Sequence, residues 1–139
     1  MRRLDAYARI APGEAARLAA GAIAGIMADR RRRAERAVEA YRRRTATWWW
    51  GRPRGSEWCT AEEARRRLEA LCRRRTPLAD PEYEYWLATN CLHADDLRAA
   101  KALSDAAGSA AKKGGEFLIN PEDLAELRAW ATAADGGER

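Results

Sequence analysis

The sequence has few of the residues that build β-sheets. Its 139 residues include one Val, four Ile and one Phe. Since β-branched and aromatic residues favour strands, this shortage argues against a large sheet. Alanine accounts for 32 residues, whereas Leu, Ile, Val and Phe together account for 18, so large aliphatic side chains for a core are also scarce. Six Trp and four Tyr offset part of that shortage.

The abundant residues are strong helix formers. Ala, Arg, Glu and Leu lie near the top of the helix-propensity scale, and the length is that of one ordinary domain. We therefore predict a single all-α domain over residues 1–139, a small bundle of five or six helices with a long basic N-terminal helix. Residues 1–54 are expected to form a basic helical arm with a Trp-rich loop, and residues 55–139 an acidic helical cluster.

Long apolar runs and a clear secretory signal are also missing. The best apolar stretch, Ala15–Ala28, contains Arg17 and is shorter than the roughly 18 residues that suggest a membrane span. Met1–Arg3 is basic, but Asp5 and Pro12 interrupt the apolar segment that a signal peptide would need. Three widely spaced cysteines suit reduced thiols better than a disulfide framework. We expect a cytoplasmic protein that is not an integral membrane protein.

Charge is distributed unevenly along the chain. Residues 1–54 hold 14 Arg and 5 acidic residues, a net charge of +9, whereas residues 80–139 hold 6 basic and 12 acidic residues, a net charge of −6. Such asymmetry indicates a polyanionic partner for the basic half. The acidic half is expected to meet a protein partner. Because Arg and Ala are both in excess, a GC-rich genome is a second explanation for the arginines.

The first long helix is predicted to begin at Pro12, since proline is well tolerated in a first turn. Apolar residues recur at helical spacing as far as Tyr41 and predict a helix that continues to Arg44. Arg30–Arg33 interrupts this stripe, which leaves a kink or break open at that point. A short preceding helix is expected over Arg3–Arg9.

A loop is predicted after the basic helix. Gly51–Gly55 contains two glycines and a proline, which end helices and mark turns. Thr45–Trp50 and Glu57–Trp58 are the one place where the sequence allows a short β-hairpin.

Further helices are marked by their capping residues. Thr60 and Glu63 have the spacing of a capping box, and Pro77 prevents this helix from continuing. Asp80–Pro81 is expected to open the next helix.

The C-terminal part contains two more predicted helices. One starts near Ala94–Asp96 and is expected to stop at Gly108, followed by a flexible connection over Ser109–Gly115. The other starts at Asn120–Asp123, where an N-cap, a proline and two acidic residues follow one another. We expect Asp135–Arg139 to be frayed.

Arginines and tryptophans are interleaved in the basic half, where Trp48–Trp50 lie between Arg42–Arg44 and Arg52. Guanidinium groups pair with phosphates and indole rings stack on unpaired bases, so this pattern predicts contact with nucleic acid. Three other roles compete with it: arginines at helix ends oppose the helix dipole, tryptophans fill a core, and exposed Trp and Arg anchor protein interfaces. The candidate nucleic-acid-binding residues are Arg30, Arg31, Arg32, Arg33, Arg36, Arg42, Arg43, Arg44, Arg52, Arg54, Trp48, Trp49 and Trp50.

Metal binding and catalysis find little support in the sequence. Cys59, Cys72, Cys91 and His93 are potential zinc ligands, but their spacing lacks the close cysteine pair that structural zinc sites usually have. His93 is the only histidine, and no motif provides it with a nucleophile and an orienting acid. We therefore predict no metal, no cofactor and no enzymatic activity.

Gly21 and Gly25, four residues apart, allow two helices to approach closely. This pattern predicts either helix packing within the chain or the seam of a homodimer.

Three functions follow from these features. The first is a non-enzymatic accessory subunit that contacts nucleic-acid phosphates, of DNA or RNA, within a larger assembly. The second is a phage-type inhibitor or regulator that blocks a host protein or nucleoprotein complex by direct contact. The third is a homo-oligomeric structural protein.

Overall fold

The computed structural model describes residues 7–48, 60–74 and 77–136. Most of these residues are helical, which confirms the helical class. In the part of the chain that is described, no helix is both long enough and apolar enough to cross a bilayer. The elements, in chain order, are β1 (Ala8–Ile10), α1 (Pro12–Trp48), α2 (Ala61–Arg73), α3 (Glu82–Asn90), α4 (Ala94–Lys113), β2 (Phe117–Ile119) and α5 (Pro121–Gly136).

Helix α1 begins at Pro12 as predicted and extends further than expected. Its 37 residues include Arg30–Arg33 without interruption and continue past Arg44 to Trp48. Arginine is a good helix former, so four of them in succession do not oppose the helix. The hairpin that the sequence allowed over Thr45–Trp50 is therefore absent at residues 45–48, which are helical. Glu57–Trp58, its other strand, lies outside the described residues.

A two-stranded antiparallel sheet replaces part of the predicted N-terminal helix. Of the segment Arg3–Arg9, Ala8 and Arg9 lie in β1 and residues 3–6 are outside the described part. β1 pairs with β2, so that Ala8 lies opposite Ile119. Ile10 is buried, and so is Ile119 on the partner strand. The pairing joins segments more than 100 residues apart, which local sequence patterns do not reveal.

Helices α2 and α3 begin where the sequence predicted. The Glu63 backbone amide donates a hydrogen bond to Thr60 Oγ1 at 3.1 Å, which caps α2. α2 ends at Arg73, before Pro77. α3 follows Asp80–Pro81.

Helix α4 begins at Ala94 as predicted but does not stop at Gly108. It continues to Lys113, so the predicted flexible connection is wrong for residues 109–113. One glycine in a helix interior costs about 1 kcal/mol relative to alanine, and the surrounding alanines favour the helix. The helix ends at Gly114 (φ 74°) and Gly115 (φ 114°), whose left-handed backbone suits glycine.

Helix α5 begins where the sequence Asn120–Asp123 predicted a helix start. Asn120 Oδ1 accepts a hydrogen bond from the Glu122 amide at 2.8 Å, and Pro121 is the first helical residue. The helix reaches Gly136, beyond the predicted start of fraying at Asp135.

The chain forms two compact units. Unit 1 consists of Met1–Asp29 and His93–Arg139, and unit 2 consists of Arg30–Leu92. The boundary inside α1 does not coincide with the predicted charge boundary at residue 54. Alanines of α1 and α4 and leucines of α4 and α5 form much of the core of unit 1. The buried core of unit 2 consists of Ala37, Val38, Ala64, Leu68 and Tyr85.

Gly21 and Gly25 bring α1 close to α5 within unit 1. A Cβ atom on Gly25 would collide with the backbone carbonyl of Trp130, and one on Gly21 would lie 2.9 Å from the Cβ of Ala131. The two glycines thus serve helix packing inside the chain, one of the two predicted roles.

Candidate nucleic-acid interface

The second half of α1 separates a buried face from an arginine face. Ala37 and Val38 are buried in the core of unit 2. At 100° per residue, Arg32, Arg36 and Arg43 lie on the opposite side of the helix, and all three are exposed. Arg32 and Arg43 are separated by about 16 Å along the helix axis at 1.5 Å per residue. Arg31 and Arg33 are also exposed.

Arg30 differs from the other members of its run. It is half-buried, and its Nε atom donates a hydrogen bond to the backbone carbonyl of Leu92 at 2.6 Å. This hydrogen bond from a charged donor connects α1 to the segment that follows α3. Arg30 therefore has a structural contact and offers less of its guanidinium to a ligand than the sequence suggested.

Arg42 and Arg43 share one acidic neighbour. Arg42 Nη1 lies 2.9 Å from Glu39 Oε2, and the Arg42 side chain is 22% exposed. Arg43 Nε lies 3.6 Å from Glu39 Oε1, and its side chain is 79% exposed. Because Glu39 offsets part of this charge, the surface around Arg42 and Arg43 is less positive than their number implies.

Arg44 connects α1 to the start of α3. Its Nη2 lies 2.7 Å from Glu82 Oε2, and its Nη1 donates to the backbone carbonyl of Asp80. The guanidinium carbon also lies 5.4 Å from the centre of the Tyr41 ring, within the range of a cation–π contact. The ion pair, the hydrogen bond and the cation–π contact together indicate that Arg44 stabilises the packing of α1 against the start of α3.

The side chains of the candidate residues Trp48, Trp49 and Trp50 lie outside the described part of the structure. Trp48 is the last residue of α1, and Trp49, Trp50, Arg52 and Arg54 lie outside the described residues. The role predicted for these Trp and Arg residues in binding nucleic acid therefore remains a prediction.

Helix α2 adds arginines that the sequence analysis did not count as contacts. Arg66, Arg67 and Arg73 are exposed on it. Unit 2 as a whole holds 16 Arg and 9 acidic residues, a net charge of +7, and no Lys. Unit 1 holds 10 basic and 12 acidic residues, a net charge of −2. The amphipathic pattern of α2 was visible in the sequence, but its place in the same unit as the arginines of α1 was not.

A cavity of about 300 Å³ lies between α2 and α3. Tyr85 Oη donates to Glu69 Oε1 at 3.3 Å inside it. Burial, followed by the nearby Glu82 and Glu69 carboxylates, raises the pKa of the Cys72 thiol. The thiol therefore stays protonated at neutral pH and is a weak nucleophile. The lining residues are Glu69, Cys72, Arg73, Tyr85, Trp86, Thr89 and Asn90.

An aromatic pair borders this cavity. The rings of Tyr83 and Trp86 are stacked, with centroids 6.1 Å apart and planes at 21°. Tyr83 is 46% exposed, and Trp86 is half-buried. Neither residue is among the candidate contacts predicted from the sequence.

The single histidine belongs to a polar cluster in unit 1. His93 Nε2 lies 2.7 Å from Asp29 Oδ2, and its ring meets the edge of the Trp130 ring at a centroid distance of 4.5 Å. The Trp130 indole donates to Asp96 Oδ2 at 3.0 Å. These contacts join α1, α4 and α5 within unit 1. Over the described ranges, no group of three His, Cys, Asp or Glu side chains is arranged to hold a metal ion.

Comparisons with known proteins give no family for this chain. No protein-family model, no curated protein and no solved structure matches it.

Proposed function

We propose that this protein is a non-enzymatic accessory subunit that binds nucleic-acid phosphates through unit 2. The observation that carries the proposal is the exposed row of Arg32, Arg36 and Arg43 on α1, opposite the buried face of the helix. Guanidinium groups bind phosphate oxygens in pairs of parallel hydrogen bonds, which makes arginine the preferred residue for such contacts. The net charge of +7 on unit 2 attracts a polyanion over a longer range.

The arginines of α1 divide into two groups in this proposal. Arg31, Arg32, Arg33, Arg36 and Arg43 are exposed and contact phosphates. Arg30 and Arg44 hold unit 2 together through the Leu92 carbonyl and Glu82. Trp48–Trp50, Arg52 and Arg54 stay in the proposed surface as stacking and phosphate-binding residues, on the sequence pattern alone. DNA and RNA both provide the phosphates.

The acidic C-terminal half takes a different partner in this proposal. Unit 1, which contains α4 and α5, carries a net charge of −2 and does not attract a phosphate backbone. We propose that it contacts a protein neighbour in the same assembly.

The salt dependence of binding tests the proposal. Fluorescently labelled single- and double-stranded oligonucleotides would be titrated with nuclease-treated, salt-washed protein at several salt concentrations. At least four phosphate contacts predict that the logarithm of the binding constant falls with the logarithm of the salt concentration with a slope of about −3 or steeper. Absence of binding at low salt, or a flat response to salt, would contradict the proposal.

A second candidate function is the phage-type inhibitor or regulator. It is favoured by the exposed Tyr83 stacked on Trp86, because aromatic residues next to arginines are common anchors of protein interfaces. This function predicts a stoichiometric protein complex that survives nuclease and moderate salt. The homo-oligomeric alternative requires a seam other than Gly21 and Gly25, since α5 of the same chain packs there.

A further inference from the structure

The cavity between α2 and α3 is lined by three chemical groups that can bind parts of a nucleotide. Trp86 provides an aromatic wall, Glu69 a carboxylate and Arg73 a guanidinium. Its volume of about 300 Å³ is at the lower end of the range for small-molecule sites, roughly 300–1,000 Å³. A site of this size accommodates one flat ring system and not a duplex.

The aromatic wall suits a nucleobase. The Tyr83 ring stacks on the Trp86 ring, with centroids 6.1 Å apart. Bases stack on such rings regardless of sequence because every base has a π-face. Asn90 Nδ2 donates to the Trp86 carbonyl at 3.0 Å, which leaves the amide oxygen of Asn90 as an acceptor beside the same cavity.

Glu69 provides the cavity with a hydrogen-bond acceptor that can distinguish between bases. Its Oε1 accepts the Tyr85 hydroxyl hydrogen at 3.3 Å, and a carboxylate has about four acceptor positions on its two oxygens. Further N–H donors can therefore bind there. Exocyclic amino groups are such donors, and acidic side chains accept from the amino group of cytosine. Thymine and uracil have no amino group.

Arg73 and the charge of the unit favour an anionic ligand over a cationic one. An aromatic wall with a carboxylate is also typical of sites for organic cations. Here, however, Arg73 is in the wall and unit 2 carries a net charge of +7, so a cation would be repelled. A backbone phosphate next to the bound base would instead pair with Arg73.

We propose that this cavity binds one unpaired, amino-bearing nucleobase of a single-stranded nucleic acid. The base stacks on Trp86, its amino group donates to Glu69, and the adjoining phosphate contacts Arg73. The inference rests on the proposed function and specifies its ligand as single-stranded. The protonated Cys72 thiol adds no charge that would oppose the phosphate.

The base preference is tested with oligo(dC) and oligo(dT) of equal length, at a slightly alkaline pH where cytosine is not protonated. The wild-type protein is expected to bind oligo(dC) roughly tenfold more tightly than oligo(dT), since a good base contact discriminates by about this factor. Glu69→Gln should reduce this ratio towards one, because a neutral acceptor makes weaker hydrogen bonds. Glu62→Gln removes the same charge from an exposed position on α2 outside the cavity and should leave the ratio unchanged.

Stacking is tested separately at Trp86. Trp86→Ala should weaken single-strand binding by roughly 5- to 150-fold and leave duplex binding within a few-fold of wild type. Trp86→Phe keeps an aromatic face and should restore most of the single-strand affinity. Circular dichroism melting would establish that each variant is folded, and Glu69→Gln, on the surface, tests the proposal even if Trp86→Ala does not fold.

The outcomes separate this inference from the proposed function. Loss of the dC preference in Glu69→Gln but not in Glu62→Gln supports the base site. An unchanged ratio in both variants, with salt-dependent binding intact, overturns the base site and leaves the proposed function standing. Absence of binding to any oligonucleotide at low salt overturns both.

Discussion

The arginines of α1 differ in what their guanidinium groups contact. Arg30 and Arg44 donate to backbone carbonyls of distant residues. Arg44 is nevertheless exposed, as are Arg31, Arg32 and Arg36. The sequence shows only that arginines are present in a helix. Which of them reach a carbonyl depends on where α3 packs, and that is a tertiary property. The set of candidate residues was therefore identifiable from the sequence, but the division of roles within it was not.

Arg44→Ala is expected to destabilise unit 2 more than Arg43→Ala. Arg44 pairs with Glu82 at 2.7 Å and also binds the Asp80 carbonyl, while Arg43 is 79% exposed and lies 3.6 Å from Glu39. Since the Arg44 side chain is itself 42% exposed, solvent screening limits the loss to about 0.5–1 kcal/mol. Arg43→Ala should change the free energy of unfolding by less than about 0.5 kcal/mol. Urea unfolding measures both, and equal losses would contradict the assigned roles.

Cys72 is expected to make stability fall in alkaline solution. Its pKa is raised above the ordinary value of 9.0 by burial and by Glu82 and Glu69. The unfolded chain therefore loses this proton at lower pH than the folded chain. The stabilising contribution is complete below pH 9.0 and is lost as pH rises through the folded-state pKa.

Replacing the thiol tests this prediction. Cys72→Ala should show a smaller decrease in unfolding free energy above pH 9 than wild type, whereas Cys91→Ala, at an exposed position, should behave like wild type. Alkylation followed by mass spectrometry should also label Cys91 faster than Cys72 at neutral pH. Faster labelling of Cys72 than of Cys91 would contradict the raised pKa of the Cys72 thiol.

At the scale of elements, the sequence predicted the starts of helices better than their ends. Thr60 and Asn120 cap α2 and α5 through side-chain hydrogen bonds, and these caps are local signals. Gly108 is also a local signal, but the alanine-rich helix around it continues. The β1–β2 sheet depends on a pairing between the two ends of the chain, and no local pattern specifies it.

Two glycine-to-alanine substitutions in helices are expected to act in opposite directions. Gly25→Ala places a Cβ against the Trp130 carbonyl, so the α1–α5 packing must shift, at a cost of about 2–3 kcal/mol. Gly108→Ala meets no atom within 4 Å in α4 and should stabilise the helix by about 0.5–1 kcal/mol. Thermal unfolding should show a lower Tm for the first variant and a higher Tm for the second. A wild-type Tm for Gly25→Ala would mean that α1 and α5 are not in close contact.

At the scale of the whole molecule, the charges follow the two units and not the order of the chain. The sequence suggested a basic half and an acidic half divided at residue 54. Grouping by contacts instead collects 16 Arg in Arg30–Leu92, including those of α2, and leaves the remainder with a net charge of −2. This concentration of arginine in one compact unit is the basis of the proposed nucleic-acid contact. The order of residues in the sequence does not show this concentration of arginine, because it depends on the packing of α1, α2 and α3 around one core.

The central claim is tested most directly by the salt dependence of oligonucleotide binding in two matched double variants. Arg32→Ala/Arg36→Ala removes two exposed charges from α1 in unit 2, and Arg98→Ala/Arg128→Ala removes two from unit 1, where the side chains are 76% and 59% exposed. The first variant is expected to weaken binding and to reduce the magnitude of the salt slope by about 2, and the second to keep the wild-type slope. Equal slopes in both variants and the wild type would contradict the assignment of the phosphate contacts to α1.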